Sequence, residues 1–382
     1  MNDQSLDLGD YPQPTAVVDL AAIRHNVRVL KRHAGHARVM AVVKADGYGH
    51  GAAAVARASI EAGAAEIGVA TIAEAVQLRR AGIRVPILCW LHSPGAPYHA
   101  ALSDGIRVGI SSIAQLHEVK AAVRATGRQA HIDVKVDTGL HRNGSPPREW
   151  ASLMLSLAAA EQDGSIAVQG IFSHLACADE PKHASIAMQR DALVNAIALA
   201  HHAGLTPQTN HLANSAATLT RPDTHFDLVR TGLALYGLSP LFAPGDFGLR
   251  PAMTLTAPVA AVRSLGAGET VSYGLSWRAA QQTRVALIPL GYADGIPRAL
   301  SGKFSVMIAG RSYPSVGRIC MDQFLVNLGS GPSAITAGTP AILFGPEGLG
   351  TLPLQDWAKT LDTIPYELVT AIRGRVRHQY LN

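Results

Sequence analysis

Residues 39–51 read VMAVVKADGYGHG, a short apolar run that ends at Lys44 and continues into a loop with three glycines. Burial against an apolar strand disfavours the ammonium form of a lysine, so the amine of Lys44 is biased toward the neutral, nucleophilic form that makes Schiff bases. The glycines let the backbone and Tyr48 approach an anion such as a phosphate ester. The pattern indicates a site for a phosphorylated aldehyde cofactor, although a strand-end lysine that points to water has the same local sequence.

The composition limits the class of protein. The 382 residues are 48% apolar and 16% charged, which is typical of a folded globular chain. No run of about 18 uncharged apolar residues occurs, and the N-terminal segment lacks a basic stretch followed by an apolar one. We therefore expect no membrane span, no secretion signal and a cytoplasmic location.

The charged and sulfur-containing residues point to no further class of ligand. The formal net charge of +5 comes from scattered basic residues, with one dense run at 373–378 that reads as a solvated strand, so we expect no nucleic-acid partner. Cys89, Cys177 and Cys320 are odd in number and widely spaced, which suits reduced thiols and predicts no zinc site. Cys320 reads as a small buried apolar residue rather than a nucleophile. The histidines lack carboxylate or cysteine companions at ligand spacing, so no metal is expected.

From Asp19 to about Gly232, short aliphatic runs alternate with segments of helical periodicity. Asp19 can cap a helix, and helices are also predicted over 72–81, 113–125 and 184–202. Eight strands are predicted, over 39–43, 66–70, 85–90, 107–110, 131–136, 168–173, 209–212 and 226–229. Eight such repeats predict an α/β fold with a closed (β/α)8 barrel of the TIM type.

Polar candidates follow the predicted strands where each one ends. In a barrel of parallel strands these ends meet at one face, which is where such barrels place their chemistry. Loops are polar in any case, but five clusters at one edge make chance the weaker explanation. The clusters are Lys44, 135–142, His174, Asn214 with Ser215, and Arg230.

After about Pro240 the rhythm changes to short alternating runs, at 254–259, 284–290, 304–308 and 341–344, separated by glycine and proline. This pattern predicts a second, mainly β domain. The boundary is expected within 239–246, where the sequence is SPLFAPGD. The predicted domains are therefore 1–246, the cofactor-binding barrel, and 247–382, the C-terminal β domain.

The loop at 41–51 resembles the cofactor-lysine motif of the alanine racemases, which are pyridoxal-phosphate enzymes built from a barrel and a C-terminal β domain. Eight further blocks resemble other parts of that family, in the same order and over about residues 12–372. They are KVDTGLHRNG at 135–144, FSHLACAD at 172–179, HLANSAA at 211–217, VRTGLALYG at 229–237, VSYGLSW at 271–277, PLGYADG at 289–295, VGRICMDQ at 316–323 and PYELVT at 365–370.

The resemblance implies pyridoxal 5'-phosphate as cofactor and a two-base racemisation of L-alanine and D-alanine that supplies D-alanine for peptidoglycan. A racemase needs one base on each face of the substrate's α-carbon. By resemblance, Lys44 acts on the proton of the D enantiomer and Tyr273 on that of the L enantiomer. Tyrosine is a poor base at its ordinary pKa near 10, and His174 and Arg230 are candidates to support it. The family pattern further implies that Tyr273 reaches the lysine of the other subunit, so that a homodimer shares its active sites.

The resemblance also assigns the remaining site residues. The phosphate is held by Tyr48, Ser215, the backbone of Gly232 and Leu233, and Tyr366; Asn214 and Ser215 alternatively cap the next helix. Arg230 faces the pyridine nitrogen and keeps it unprotonated, because an arginine practically never gives up its proton. Cofactor contacts are implied for His174 and Asn214 as well. Substrate contacts are implied for Arg142, Met321 and Asp322, and Tyr292 with Tyr366 narrows the entry.

Lys135 matches a lysine that carries a carbamate in many members of the family, where it orients the arginine that corresponds to Arg142. A buried, unmodified lysine beside an arginine is unfavourable, so an inward-pointing Lys135 is expected to lose its charge. If Lys135 points to solvent, the sequence gives no reason to expect this loss of charge. The sequence departs from the family at His141, where many relatives have glycine, and at the C-terminal run RGRVRHQY.

Three other functions share some of these sequence features. A decarboxylase of basic amino acids needs a glycine-rich phosphate loop and an acid cysteine in its β domain, and no such loop is found. The single-domain pyridoxal-phosphate carrier proteins lack the segment after residue 246 that contains Tyr273. A broader-specificity or serine racemase of the same family stays open as the alternative, because specificity depends on the volume of the pocket.

Overall fold

The computed structural model describes residues 12–241, 247–332, 334–346 and 353–382. The chain divides into two compact units, Leu20–Arg250 and Met1–Asp19 together with Pro251–Asn382. The boundary predicted within 239–246 falls largely on 242–246, which lie outside the described residues. Strand β1, Thr15–Asp19, lies within residues 1–246, which were predicted as the barrel domain. It pairs with the strands at 253–258 and 377–381, which lie in the second unit, and its Ala16 and Val18 are buried there.

The unit Leu20–Arg250 alternates strands and helices, as predicted. Its strands are β2 Arg38–Val42, β3 Glu66–Val69, β4 Ile87–Cys89, β5 Arg107–Ile110, β6 Ala130–Lys135, β7 Ile166–Phe172 and β8 Leu228–Thr231. Its helical segments are α1 Leu20–Ala34, α2 Lys44–Gly49, α3 Ala52–Glu61, α4 Ile72–Arg80, α5 Tyr98–Ser103, α6 Ile113–Thr126, α7 Trp150–Gln162, α8 Ser185–His202 and α9 Ser215–Thr220.

These seven strands form one parallel sheet in the order β7-β6-β5-β4-β3-β2-β8. The sheet closes into the predicted barrel through residues 209–213, which lie between β7 and β8. The His211 N–H donates to Ile171 O at 3.0 Å, and the Arg230 N–H donates to Ala213 O at 2.9 Å. The parallel order and the packing of helices outside it are those of a TIM-type barrel.

The strand predicted at 209–212 is wrong as a regular strand. The segment makes a single β-bridge, between Phe172 and His211. The reason is local, because the Ile171 N–H donates at 3.1 Å to the side-chain oxygen of Asn210, where a regular ladder would offer a backbone carbonyl. A hydrogen bond to the side chain of Asn210 thus takes the place of one backbone hydrogen bond that a strand at 209–212 would make with β7.

The second unit is mainly β, as predicted. Its further strands are β9 Met253–Pro258, β10 Ala261–Leu265, β11 Thr270–Val271, β12 Trp277–Arg278, β13 Thr283–Ile288, β14 Ser305–Ile308, β15 Arg311–Val316, β16 Phe324–Gly329, β17 Pro340–Phe344 and β18 Arg377–Leu381, and its helices are α10 Leu354–Leu361 and α11 Pro365–Ala371. Nine strands form one sheet in the order β10-β13-β16-β15-β14-β17-β9-β1-β18, and β11 pairs with β12. Among the helices of the described ranges, none combines the length and apolar character that a bilayer crossing requires.

Candidate active site

Lys44 lies directly beyond β2, after Val43, and is half-buried. From Ala45 to Tyr48 the backbone winds left-handed, with φ between 50° and 62°. This conformation is unfavourable for residues other than glycine. Local hydrogen bonds hold the turn: the Gly47 N–H donates to Val43 O at 2.8 Å, and the Ala52 N–H donates to the Asp46 carboxylate at 2.8 Å.

The amine of Lys44 has its pKa lowered, first by burial and then by the positive charge of Arg142. The carboxylate of Glu74 acts in the opposite direction, and Arg230 lowers the pKa further. An amine whose pKa falls keeps a larger neutral fraction near pH 7, and the neutral fraction is the nucleophilic one.

Lys135 is the last residue of β6 and is 9% exposed, so its side chain points into the unit rather than to solvent. Its pKa is lowered to about 8, first by burial and then by the charges of Arg230, Arg142 and Lys44. Its Nζ lies 5.9 Å from the ring centre of Phe172. The two lysines and two arginines therefore form a cationic cluster at the C-terminal ends of the barrel strands.

Arg230, in β8, is buried, and its two terminal nitrogens donate to four neutral acceptors. Its guanidinium donates to Ser173 O at 2.6 Å, to Leu212 O at 3.1 Å and to the Nδ1 atoms of His211 at 3.0 Å and His174 at 3.3 Å. Burial lowers the pKa of Arg230 to about 10, so it stays protonated at neutral pH. The nearby carboxylate of Asp227, in the residue before β8, accepts from the backbone and side-chain N–H groups of Asn210.

His211 and Asp133 belong to this site and were missed from the sequence. The His211 Nε2–H donates to Asp133 Oδ2 at 3.0 Å, which leaves Nδ1 free to accept from Arg230. Burial lowers the pKa of His211 to about 4 against the opposing effect of Asp133, so the ring is neutral at pH 7. His174 is held neutral too, because burial and then Arg230 lower its pKa well below the usual value. Arg230 therefore faces imidazole acceptors rather than imidazolium donors.

A chain of ion pairs continues from Asp133 across the strands, buried as far as Glu66 and exposed at its Arg38 end. Arg107 Nη2 lies 3.3 Å from Asp133 and 2.6 Å from Glu66, and Glu66 lies 3.1 Å from Arg38. The signal that could have found this network is the presence of charged residues inside predicted buried strands, since such charges are paired when buried.

A second group of residues converges beside the Lys44 loop. A Cβ atom added to Gly232 would lie 2.5 Å from the hydroxyl of Tyr48, so this glycine leaves room for the phenol. The Ser215 Oγ accepts from the Gly232 N–H at 2.9 Å and from the Ala234 N–H at 3.3 Å. Asn214 caps α9 by accepting from the Ala217 N–H at 3.1 Å. Of the two residues that could cap the next helix, Asn214 makes the cap. The Ser215 side chain instead bonds to the loop after β8.

His141 stands where many relatives have glycine, and its backbone conformation explains that preference. His141 has φ +55°, a region that glycine adopts without cost. The histidine is held there by Asp137, which accepts from the His141 backbone N–H at 3.0 Å and contacts its Nδ1 at 2.9 Å. Burial acts to raise the pKa of Asp137, but the hydrogen bonds from Gly139 and His141 lower it overall. The next residue, Arg142, is exposed and acts on both lysines through its charge.

The other predicted residues lie in the second unit. Tyr273 is 71% exposed in a short turn, and the preceding Ser272 donates from its hydroxyl to Arg318 O at 2.7 Å. The turn that contains Tyr292 is bonded to the following segment, since the Tyr292 N–H donates to Cys320 O at 3.1 Å. Tyr273, Tyr292 and Met321 are therefore exposed side chains on connected turns.

Asp322 and Tyr366 complete the predicted set. Arg375 Nη1 lies 2.7 Å from Asp322, and the same guanidinium binds both oxygens of the buried Asp294, at 3.0 and 3.1 Å. The unusual C-terminal run thus contributes an arginine that joins Asp322 to the Tyr292–Asp294 turn. Tyr366 lies in the first turn of α11 and is half-buried.

Comparisons with known proteins agree over nearly the whole chain. The family described as alanine racemase, N-terminal domain, matches residues 18–240, and alanine racemase, C-terminal domain, matches 252–380. The alanine racemases of Mycolicibacterium vanbaalenii and Mycobacterium tuberculosis are 53% and 52% identical, over 96% of this chain and 94% and 95% of those proteins. The crystal structure of alanine racemase from Streptomyces lavendulae has a TM-score of 0.94 and 49% identity, and the match covers 98% of both chains. The chain therefore belongs to the alanine racemase family.

Proposed function

We propose that this protein interconverts L-alanine and D-alanine with pyridoxal 5'-phosphate as cofactor, and that Lys44 and Tyr273 are its two bases. The observation that carries the proposal is the half-buried amine of Lys44, whose pKa is lowered, beside a loop that brings Tyr48 against Gly232. When bound, the cofactor withdraws electrons from the substrate's α-carbon and so makes its α-proton acidic.

The residues present fit a phosphorylated pyridine aldehyde. Because Gly232 has no side chain, the Tyr48 hydroxyl can lie against it, and the Ser215 hydroxyl lies at its backbone N–H, so two hydroxyl groups meet at this turn. Hydroxyls and backbone N–H groups are suitable donors for a phosphate, and we assign Tyr48, Ser215, Gly232, Leu233 and Tyr366 to it. Asn214 supports this set by capping α9.

Arg230 would face the pyridine nitrogen. It is protonated at neutral pH, and a guanidinium has donors but no acceptor, so it would donate to that nitrogen and would not accept a proton from it. Its other N–H groups are held by His211, His174 and backbone carbonyls, which fix the plane of the guanidinium. Arg142 would bind the substrate carboxylate, and Lys135, carrying a carbamate, would orient it.

The proton steps are assigned to the two bases. The Lys44 amine, with its lowered pKa, takes the α-proton of D-alanine, and the Tyr273 phenol takes that of L-alanine. Tyr273, Leu275, Met321 and Tyr292 are exposed on the second unit, which supports a homodimer in which a partner covers them and shares the active site. Met321 and Asp322 would then line the partner's substrate site, with Tyr292 and Tyr366 narrowing the entry.

The physiological role we propose is the supply of D-alanine for peptidoglycan in the cytoplasm. Three unpaired cysteines among the described residues suit a reducing compartment. The domain division at 246 and 247 stays part of the proposal. A serine or broader-specificity racemase is the alternative, and the relatives reported above, all alanine racemases, give it no support.

A panel of L-amino acids followed by optical rotation tests the activity. We expect rotation to be lost fastest with L-alanine, whereas faster loss with L-serine would favour the alternative. Borohydride should fix the cofactor onto Lys44, and a tag on another lysine would reject that assignment. Tyr273→Phe should keep the bound cofactor but lose proton exchange from L-alanine. Mixing Lys44→Ala with Tyr273→Phe subunits should restore part of the activity, and no rescue would argue for self-contained sites.

A further inference from the structure

The first role of Glu74 is to cap the N-terminus of α4. It is the third residue of α4 and forms a capping box with Thr71, whose Oγ1 accepts from the Glu74 N–H at 3.2 Å. In return, Glu74 Oε2 accepts from the N–H groups of Thr71 at 3.0 Å and Ala70 at 2.9 Å. One carboxylate oxygen is therefore sufficient for the cap.

The second oxygen of Glu74 reaches a different part of the barrel. Its Oε1 accepts from the Ala45 N–H at 2.8 Å. That N–H belongs to the peptide group that joins Lys44 to Ala45, so the bond fixes the peptide plane next to the Cα atom of Lys44. Ala45 has φ +52° and starts the left-handed turn, so the bond also holds the first of its unfavourable residues.

A related cap occurs at α6, where the side chain at the third helical position accepts from the N–H and the hydroxyl of Ser111, the residue before the N-cap. At α6, Ser112 accepts from the Gln115 N–H at 3.2 Å, and Gln115 Oε1 accepts from the Ser111 N–H at 2.8 Å. A neutral glutamine thus performs this cap. Glu74 uses one oxygen for the helix start and the other for Ala45, and a glutamine, with one acceptor oxygen, can replace only one of the two. The carboxylate at position 74 is therefore explained by the contact with the lysine loop.

The charge of Glu74 acts on the same lysine. Burial and Arg142 lower the pKa of Lys44, and Glu74 is the group that acts against them. The carboxylate thus combines a geometric contact with the Lys44 peptide and an electrostatic effect on the Lys44 amine.

We propose that Glu74 is a positioning residue for Lys44: its carboxylate joins the cap of α4 to the peptide after Lys44 and holds the amine where it meets an aldehyde. The inference rests on the proposed role of Lys44. Glu74 touches neither substrate nor cofactor in this assignment, and it acts through the loop.

Three variants separate the effects of the helix cap, of the bond to the Ala45 N–H and of the negative charge of Glu74. Glu74→Gln keeps one acceptor oxygen, so it preserves the cap as Gln115 does at α6 but loses the bond to Ala45. Glu74→Asp keeps the charge but is one methylene shorter and cannot span both partners. Gln115→Ala is the matched control, because it removes the equivalent cap at α6 without touching the Lys44 loop.

Amide hydrogen exchange and pyridoxal phosphate trapping are measured on the full chain. In Glu74→Gln and Glu74→Asp, exchange at Ala45 should rise about tenfold or more, which is the scale of one lost charge-assisted hydrogen bond, while Thr71 stays protected in Glu74→Gln. The dissociation constant for pyridoxal phosphate, measured by borohydride trapping on Lys44, should rise about tenfold in both variants. The pH midpoint of trapping should fall in Glu74→Gln and stay closer to wild type in Glu74→Asp. Gln115→Ala should change none of these.

Wild-type exchange at Ala45 and wild-type trapping in Glu74→Gln would overturn the inference. So would equal effects in Gln115→Ala, which would reduce Glu74 to a helix cap. If borohydride does not tag Lys44 in the wild type, the proposed function fails, and the exchange at Ala45 then tests the Glu74 contact separately.

Discussion

Lys135 gives the most quantitative prediction, because its surroundings lower the pKa of its amine and so raise the fraction of the amine that is neutral. Its pKa is lowered to about 8, first by burial and then by Arg230, Arg142 and Lys44. At pH 7.4 this leaves about 20% of the amine neutral, against about 0.1% at an ordinary lysine, a difference of roughly 200-fold. A neutral amine attacks CO2, forms an N–C bond and releases one proton, which leaves a carbamate anion. The anion would replace a cation in a cluster of cations, so the cluster favours it.

Carbon-13 NMR with labelled bicarbonate measures the modification. We expect one carbamate signal in the wild-type protein, and its intensity should increase as the pH rises from 7 toward 9, because more amine becomes neutral. Lys135→Ala should abolish the signal. Lys120→Ala is the control and should keep it, since the Lys120 ammonium is an exposed ion pair, 2.7 Å from Asp163.

Two results would refute the reasoning about Lys135. One is the absence of any carbamate signal in the wild-type protein at saturating bicarbonate and pH 8. The other is a signal that survives in Lys135→Ala, which would show that a different amine carries the group.

Three further predictions concern the barrel. The pKa of His211 is about 4 in the folded state, lowered chiefly by burial, and near 6.5 when unfolded, so its contribution to stability is complete above pH 6.5 and is lost as the pH falls toward 4. Roughly 2.4 kcal/mol of acid destabilisation should therefore be missing in His211→Gln when urea unfolding is compared at pH 7 and pH 4.5, and an unchanged pH slope would contradict this. Gly232→Ala should displace the Tyr48 hydroxyl and weaken pyridoxal phosphate binding about tenfold or more in an absorbance titration, whereas wild-type affinity would argue against the assigned phosphate site. His141→Val should cost about 1–2 kcal/mol in urea unfolding because φ is +55°, while His141→Gly should stay close to wild type; equal losses in both would assign the cost to the contact with Asp137 instead.

The predicted order of strands and helices agrees with the structure because each element carries its own periodicity. Arg107–Ile110 agrees at both ends, and the four strands predicted in the β domain agree with β9, β13, β14 and β17 within two residues at each end, while its other strands were not predicted. The segment at 209–212 does not, because its pattern is that of a strand while a side chain from Asn210 makes part of the ladder. Such a substitution depends on where a neighbouring strand lies, which a single-sequence pattern does not contain.

The residues of the candidate site likewise fall into those that local sequence patterns identify and those that only tertiary contacts reveal. Lys44, Lys135 and Arg230 were identified because each follows or ends an apolar run and matches a family block. His211 and Asp133 were missed, because a histidine and an aspartate 78 residues apart give no local signal of a hydrogen bond. Glu74 was missed for a similar reason, since its sequence context predicts a capping box and nothing more.

The sequence alone determined the fold class, the reactive lysine and the family resemblance, because apolar periodicity and contiguous motifs are local properties of the chain. Only the tertiary structure decided which neutral acceptors hold Arg230, which cations surround Lys135 and which carboxylate holds the peptide after Lys44. Those interactions join the ends of different strands, and their strength depends on distances and burial that exist only after the barrel has closed.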